Sequence, residues 1–121
     1  MSYDDQNIFA KILRGEIPSN KIYEDDHVLV IHDAFPQAEV HALILPKGEF
    51  VSMSDFSAKA EGAQIIAMNR AVAKTVELLD LTEQGYRLIA NTGENGGQEI
   101  PHLHWHIIGG EKLGVMLTKA A

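Results

Sequence analysis

Apolar and polar positions alternate most strictly near the C-terminus. Leu103, Trp105 and Ile107 take every second position, and His102, His104 and His106 fill the places between. A period of two belongs to a β-strand, where residues i, i+2 and i+4 share one face. The run therefore predicts a strand with three imidazoles on one side and three apolar groups on the other. The β-prone Trp105, Ile107 and Ile108, closed by Gly109-Gly110, favour a strand over a helix. Shorter strands are expected at residues 21–24 and 27–32 about an Asp25-Asp26 turn, at 40–45 before Pro46-Lys47-Gly48, and at 86–90.

Two segments carry the helical period instead. In residues 5–14, Ile8, Phe9, Ile12 and Leu13 form an apolar stripe, with Asp4 or Asp5 as cap and Gly15 as stop. In residues 57–80, Ile65, Met68, Val72, Val76 and Leu79 recur at spacings of three and four, and residues 54–57 offer caps. Gly62 would weaken the interior of that helix by about 1 kcal/mol relative to Ala. Strands separated by one long helix and joined by short turns imply an α+β domain. Its sheet is mostly antiparallel and five-stranded, with one long and one short helix. A single domain spans 1–121, with a core over about residues 7–110. A tail over 111–121 carries a short apolar patch, Leu113, Val115, Met116 and Leu117.

Composition narrows the function classes. At 121 residues and 45% hydrophobic, the chain can fill one core and not two. With no cysteine, disulfides, thiolate metal sites and thiol catalysis are excluded. The acidic start, Met1-Ser2-Tyr3-Asp4-Asp5, lacks the apolar stretch of a secretory signal, and no apolar run approaches a membrane span. A cytoplasmic protein without a membrane partner is expected. The net charge of −7 argues against wide contact with nucleic acid. A small phosphate ligand is still allowed, since backbone amides can hold one phosphate.

The histidine row has three readings: a solvent-facing row with no role, a metal site, or nucleophilic catalysis on phosphorus. Spacing argues only weakly for metal, because no Asp or Glu lies inside the run. The loop before it, Asn91-Thr92-Gly93-Glu94-Asn95-Gly96-Gly97-Gln98-Glu99, has three glycines. Such a loop can be a plain turn or can bring amides close to an anion. At the end of the second strand, Asp33 is either a turn cap beside an ordinary His32 or a hydrogen-bond acceptor for a ligand. His41, at the start of the third strand, is read as structural.

The run His102-Leu103-His104-Trp105-His106-Ile107-Ile108 resembles the His-x-His-x-His-x-x motif of the histidine triad (HIT) superfamily. Further segments are similar to its Hint branch of purine nucleoside phosphoramidases. They are Ile8-Phe9, Ile12, Gly15-Glu16-Ile17-Pro18, Tyr23-Glu24-Asp25, Asp33, Pro36-Gln37-Ala38, His41 and Pro46-Lys47, while Asn91 and Gly96-Gly97-Gln98 are similar to the extended pattern of the superfamily as a whole. The resemblance implies the HIT fold, paired into a two-fold homodimer by the long helix and the strand after it. It implies hydrolysis of purine nucleoside 5′-phosphoramidates through a nucleotidyl-histidine, with His104 as nucleophile and His102 and His106 beside it. A backbone carbonyl at His102 would fix the His104 tautomer. Phe9, Ile12, His32, Asp33, Asn91, Gly97 and Gln98 would bind the nucleotide, with Asp33 on the ribose and Gly97 and Gln98 on the phosphate. No cofactor is required, with zinc possible but not favoured. The alternatives are a dinucleoside polyphosphate hydrolase of the same superfamily and a non-enzymatic nucleotide- or metal-binding module. The chain departs from many relatives at Glu49, where they have histidine, and at Glu99, where they have serine. Glu99 is a candidate contact for the leaving amine. Trp105 and Pro101 also depart, and Trp105 should face the core.

Overall fold

A computed structural model of the protein describes residues 2–117; residues 118–121 of the expected tail lie outside the described residues. The elements run α1 (Ile8–Leu13), β1 (Lys21–Glu24), β2 (Val28–His32), β3 (Val40–Pro46), α2 (Met53–Lys59), α3 (Gly62–Leu78), β4 (Tyr86–Ala90) and β5 (Trp105–Gly109). The five strands form one sheet in the order β1-β2-β3-β5-β4, antiparallel at every pairing. The β1–β2 turn is built on Asp25. One of its carboxylate oxygens accepts from the His27 and Val28 amides at 2.8 and 2.9 Å, and the other accepts from the Tyr23 hydroxyl at 2.8 Å.

Alternation along the strands divides the apolar residues between two faces. Val28, Val30, Ala42, Ile44, Leu103, Trp105 and Ile107 face α2 and α3, where Phe56, Met68, Ala71 and Val76 complete the larger core. Leu29, Ile31, Leu43 and Leu45 face the other way and meet Phe9 of α1. Trp105 lies in the first core, as expected, and its indole N–H points at the Met53 sulfur at 3.3 Å.

The helices depart from expectation in three ways. First, α1 starts at Ile8 and is capped by Asn7, not by Asp4 or Asp5, because the buried Asn7 side chain accepts from the Ala10 amide at 2.9 Å. Second, the single long helix is two. Ser52 caps α2, Ala60 is extended, and α3 restarts at Gly62, where the Gln64 side chain accepts from the Glu61 amide at 2.8 Å. Gly62 is thus a first-turn residue, where its backbone freedom costs less than in a helix interior. Third, the buried face of α3 is turned toward Met68, Ala71, Thr75 and Val76, and Ile65 is exposed. The histidine strand is also shorter than its alternating pattern. Only His106 enters the β5 ladder, and His102 and His104 lie in the segment leading into it. That segment keeps its alternation because the Leu103 amide donates to the Phe50 carbonyl at 2.8 Å.

Among the described residues, no helix is long and apolar enough to cross a membrane.

Candidate active site

On the α1 side of the sheet, an open cleft of about 1080 Å³ collects most of the residues singled out by sequence. Its apolar wall is Ile8, Phe9 and Ile12 from α1, with Ile31 and Leu43 from the sheet. His32 and Asp33 come from the end of β2, Asn91, Gly97 and Glu99 from the loop before β5, and His104 and His106 from the histidine run. Among the described residues its lining has two carboxylates and no lysine or arginine. Glu49 is exposed and is not part of the lining.

The three histidines of the run occupy different environments. His102 is wholly buried behind the cleft. Its Nε2 is 2.9 Å from the Pro46 carbonyl, and its Nδ1 is 2.6 Å from the Tyr3 hydroxyl. Burial pushes its pKa down to about 4. His104 lines the cleft with its ring edge-on to Phe9, centroids 4.8 Å apart. Its Nδ1 is 2.7 Å from the main-chain oxygen of His102. A carbonyl can only accept, so Nδ1 carries the proton and Nε2 keeps its lone pair. Burial holds the His104 pKa below its ordinary value, against the opposing pull of that hydrogen bond and of Asp33. The ring is therefore neutral near pH 7.

His106 brings in a residue whose chemistry the sequence did not reveal. Leu43 on β3 lies opposite His106 on β5, and His41 is two residues along the same face. His41 is buried, and its Nε2 lies 2.9 Å from His106 Nδ1 and 3.3 Å from Asp33 Oδ2. The Gln37 amide donates to His41 Nδ1 at 3.0 Å. That donor fixes the neutral tautomer. His41 carries its proton on Nε2 and shares it with His106 Nδ1 and Asp33, so His106 must carry its own proton on Nε2. Burial lowers the pKa of His41, with Asp33 opposing, and lowers that of His106 to about 4. A histidine at an alternating strand position, followed across the sheet by the triad, was the available signal. Pairing β3 with β5 could not be read from spacing alone.

Asp33, His41 and His106 present three donor atoms within 4.8 Å of one another. The tautomers make them a poor metal site. A metal on His41 Nε2 would have to displace the proton there. The ring would then either become an imidazolate or turn a proton toward the Gln37 N–H. The cluster is better described as a chain of shared protons.

The glycine loop uses several of its donors within itself and on the scaffold. Gly97 lines the cleft, but its amide donates to the Glu94 carbonyl at 3.1 Å, and the Gln98 amide donates to the Gly93 carbonyl at 3.0 Å. The Gln98 side chain lies outside the lining. It donates to the Val51 and Ile100 carbonyls at 2.6 and 3.0 Å and so ties the loop to the scaffold. Asn91 lines the cleft and also spans the loop, donating to the Gly96 carbonyl at 2.6 Å. The loop closes so tightly that a Cβ on Gly96 would sit 2.2 Å from the Thr92 oxygen. The Gly93, Gly97 and Gln98 amides and the Asn91 and Gln98 side chains thus bond within the loop or to its scaffold, and Asn91, Gly97 and Glu99 form the loop's surface toward the cleft. Asp33 keeps acceptor capacity. Oδ1 takes the Phe35 amide at 2.8 Å and Oδ2 faces His41, while the side chain remains partly open to the cleft.

The chain and its fold are similar to known proteins. A family model described as the HIT domain matches residues 14–113, beginning after the segment that carries Tyr3, Asn7 and Phe9. A purine nucleoside phosphoramidase of Escherichia coli (strain K12) is 45% identical over 114 residues, covering 94% of this chain and 95% of that one. An uncharacterized HIT-like protein of Azospirillum brasilense is 49% identical over 118 residues, covering 98% of this chain and 97% of its own. Among solved structures, a HIT family hydrolase from Clostridium thermocellum superposes with a TM-score of 0.85 at 38% identity, covering 95% of this chain and 99% of that one. A histidine triad protein from Clostridium difficile gives 0.83 at 39% identity, covering 97% and 100%.

Proposed function

The chain belongs to the HIT family, and from that premise we propose that it hydrolyses purine nucleoside 5′-phosphoramidates to the nucleoside monophosphate and an amine. The observation that carries the reading is the tautomer of His104. Its proton is held on Nδ1 by a main-chain carbonyl, which leaves Nε2 as a neutral nucleophile in the cleft. The phosphoramidase name of the relative at 45% identity supports the choice of phosphorus–nitrogen bond.

In the first step His104 Nε2 attacks the α-phosphorus. A bond forms between Nε2 and phosphorus, and the phosphorus–nitrogen bond to the amine breaks. The amine leaves poorly as an anion and must gain a proton as it departs. The source that balances is the substrate's own protonated nitrogen, because a neutral His106 that gave up its proton would be left as an imidazolate beside the Asp33 carboxylate; its Nε2–H, set by His41, instead donates a hydrogen bond to the phosphate. In the second step water attacks the nucleotidyl-histidine and the Nε2–phosphorus bond breaks, which returns His104 to its neutral form, and the water's proton passes to solvent. The α1 wall of Phe9 and Ile12 suits a flat purine, and the open oxygens of Asp33 suit the ribose hydroxyls. Glu99, exposed on the lining, suits contact with the leaving amine. No step draws on a metal.

The sheet supports a homodimer in the same reading. β4 is an edge strand with Tyr86 and Leu88 exposed, and Ile65, Ile66 and Leu78 of α3 are exposed as well. An uncovered edge beside apolar groups calls for a partner. Light scattering should give twice the chain mass, and a monomer at all concentrations would count against the dimer.

The direct test is intact-protein mass after rapid quench with adenosine 5′-phosphoramidate, with chelator present. Wild type should gain one nucleotidyl group transiently, and His104→Ala should gain none. Turnover without an adduct in either protein would replace His104 attack with direct attack by water. Turnover of dinucleoside polyphosphates alone would move the chain to the other hydrolase class, and loss of activity in chelator would restore the metal reading.

A further inference from the structure

We propose that Tyr3 is a positioning residue of the site, holding His104 in its attacking geometry through His102. The inference rests on the reading of His104 as nucleophile. It begins from the needs of a buried ring. His102 is wholly buried, so both ring nitrogens must find partners inside the protein. The Pro46 carbonyl, 2.9 Å from Nε2, can only accept, so Nε2 carries the proton. Nδ1 is then a lone pair that needs a donor, and the Tyr3 hydroxyl at 2.6 Å is that donor. The tyrosine ring also stands edge-on to the imidazole, 75° between planes and 5.7 Å between centroids. The His102 ring is thus bolted between the end of β3 and the N-terminal segment.

What this fixes is the backbone of His102. The main-chain oxygen of the same residue takes the His104 Nδ1–H at 2.7 Å, so a backbone adjustment that lets the His102 ring move swings the atom that sets the nucleophile's tautomer and aim. Phe9 makes T-shaped contacts with both imidazoles, with centroids 6.4 Å from His102 and 4.8 Å from His104, so a shift in one ring is passed to the other. Without the hydroxyl, His102 either buries an unpaired Nδ1 or moves its proton there and loses Pro46. In both cases the ring gains a second state. Small displacements of a reacting group are costly in rate.

The test compares wild type, Tyr3→Phe and Tyr23→Phe. Tyr3→Phe keeps the edge contact and removes only the hydroxyl. Tyr23→Phe removes a hydroxyl hydrogen bond of similar length, to Asp25 in the remote β1–β2 turn. Single-turnover quench with adenosine 5′-phosphoramidate should show adduct formation slowed by about tenfold in Tyr3→Phe, the order of one lost hydrogen bond, with KM nearly unchanged and Tyr23→Phe at the wild-type rate. Nitrogen-15 spectra of the imidazoles should show His102 as one Nε2-protonated tautomer in wild type and in Tyr23→Phe, and as a mixture in Tyr3→Phe. Equal adduct rates for Tyr3→Phe and wild type, an unchanged His102 tautomer, or the same slowing in Tyr23→Phe would each overturn the proposal. If wild type forms no adduct, the phosphoramidase reading fails instead, and the His102 and His104 spectra alone decide whether Tyr3 holds the pair.

Discussion

Acid should unfold this protein in part through His102, and the size of that residue's share can be worked from its surroundings. In the unfolded chain an imidazole titrates near 6.5, as in a model peptide. In the fold His102 is wholly buried and its pKa is pushed down to about 4. The unfolded state therefore binds a proton that the native state refuses over that interval, and stability falls as pH falls. The contribution is fully present above about pH 6.5 and lost by about pH 4. At 1.36 kcal/mol per unit, the interval amounts to about 3 kcal/mol, of which about 2 kcal/mol is gone by pH 5. That is a large share of the roughly 5–15 kcal/mol that holds a typical domain together. His106, His104 and His41 are shifted in the same direction, so the wild-type slope alone does not isolate His102. His102→Gln does, since the amide can still donate to Pro46 and accept from Tyr3 but does not titrate. Urea unfolding of both proteins at pH 7 and pH 5 gives the comparison. Wild type should lose about 2 kcal/mol more than His102→Gln on acidification. An equal loss in the two proteins would refute the argument that burial holds this ring neutral.

Other substitutions test the rest of the structure. His41→Asn breaks the proton-sharing chain behind His106 and should lower kcat by about a hundredfold with little change in KM; steady-state kinetics at wild-type rate would remove His41 from the mechanism. Among the described residues, the Thr75 hydroxyl is buried without a partner, so Thr75→Val should raise stability by about 1 kcal/mol in urea unfolding. Gly96→Ala would place a methyl against the Thr92 carbonyl and force the loop open. Calorimetric titration with AMP should show weakened binding while the melting temperature changes little.

Strand periods and turn residues were strong signals here because local chemistry enforces them. The five strands, a mostly antiparallel sheet and the inward Trp105 follow from alternation closed by Gly, Pro and Asp, whereas the strand order β1-β2-β3-β5-β4 does not. Helix ends were less legible. Asn7 outcompetes Asp4 and Asp5 as a cap because burial rewards the residue that can also donate, and its Nδ2 does so to the Asp4 carbonyl at 2.7 Å. The break at Ala60 depends on Gln64 reaching back to Glu61, which an apolar stripe does not register. Within the site, the triad and the apolar wall were visible as motifs. His41 and Tyr3 were not, since each acquires its role from a contact across 65 or 99 residues of chain. The Gln98 side chain ties its loop to the scaffold through the Val51 and Ile100 carbonyls, contacts that spacing does not register.

The acceptor that orients His104 is a main-chain atom, two residues upstream. Every residue has such an oxygen, so no point mutation at position 102 can delete it. The proton's location on the nucleophile is inherited from the path of the chain, and side chains such as Tyr3 act on it only by holding that path in place. Substitution can misplace that oxygen, but only a change of backbone course can abolish it. The nucleophile's tautomer is therefore buffered against sequence drift, while the surrounding walls remain free to adapt to different substrates.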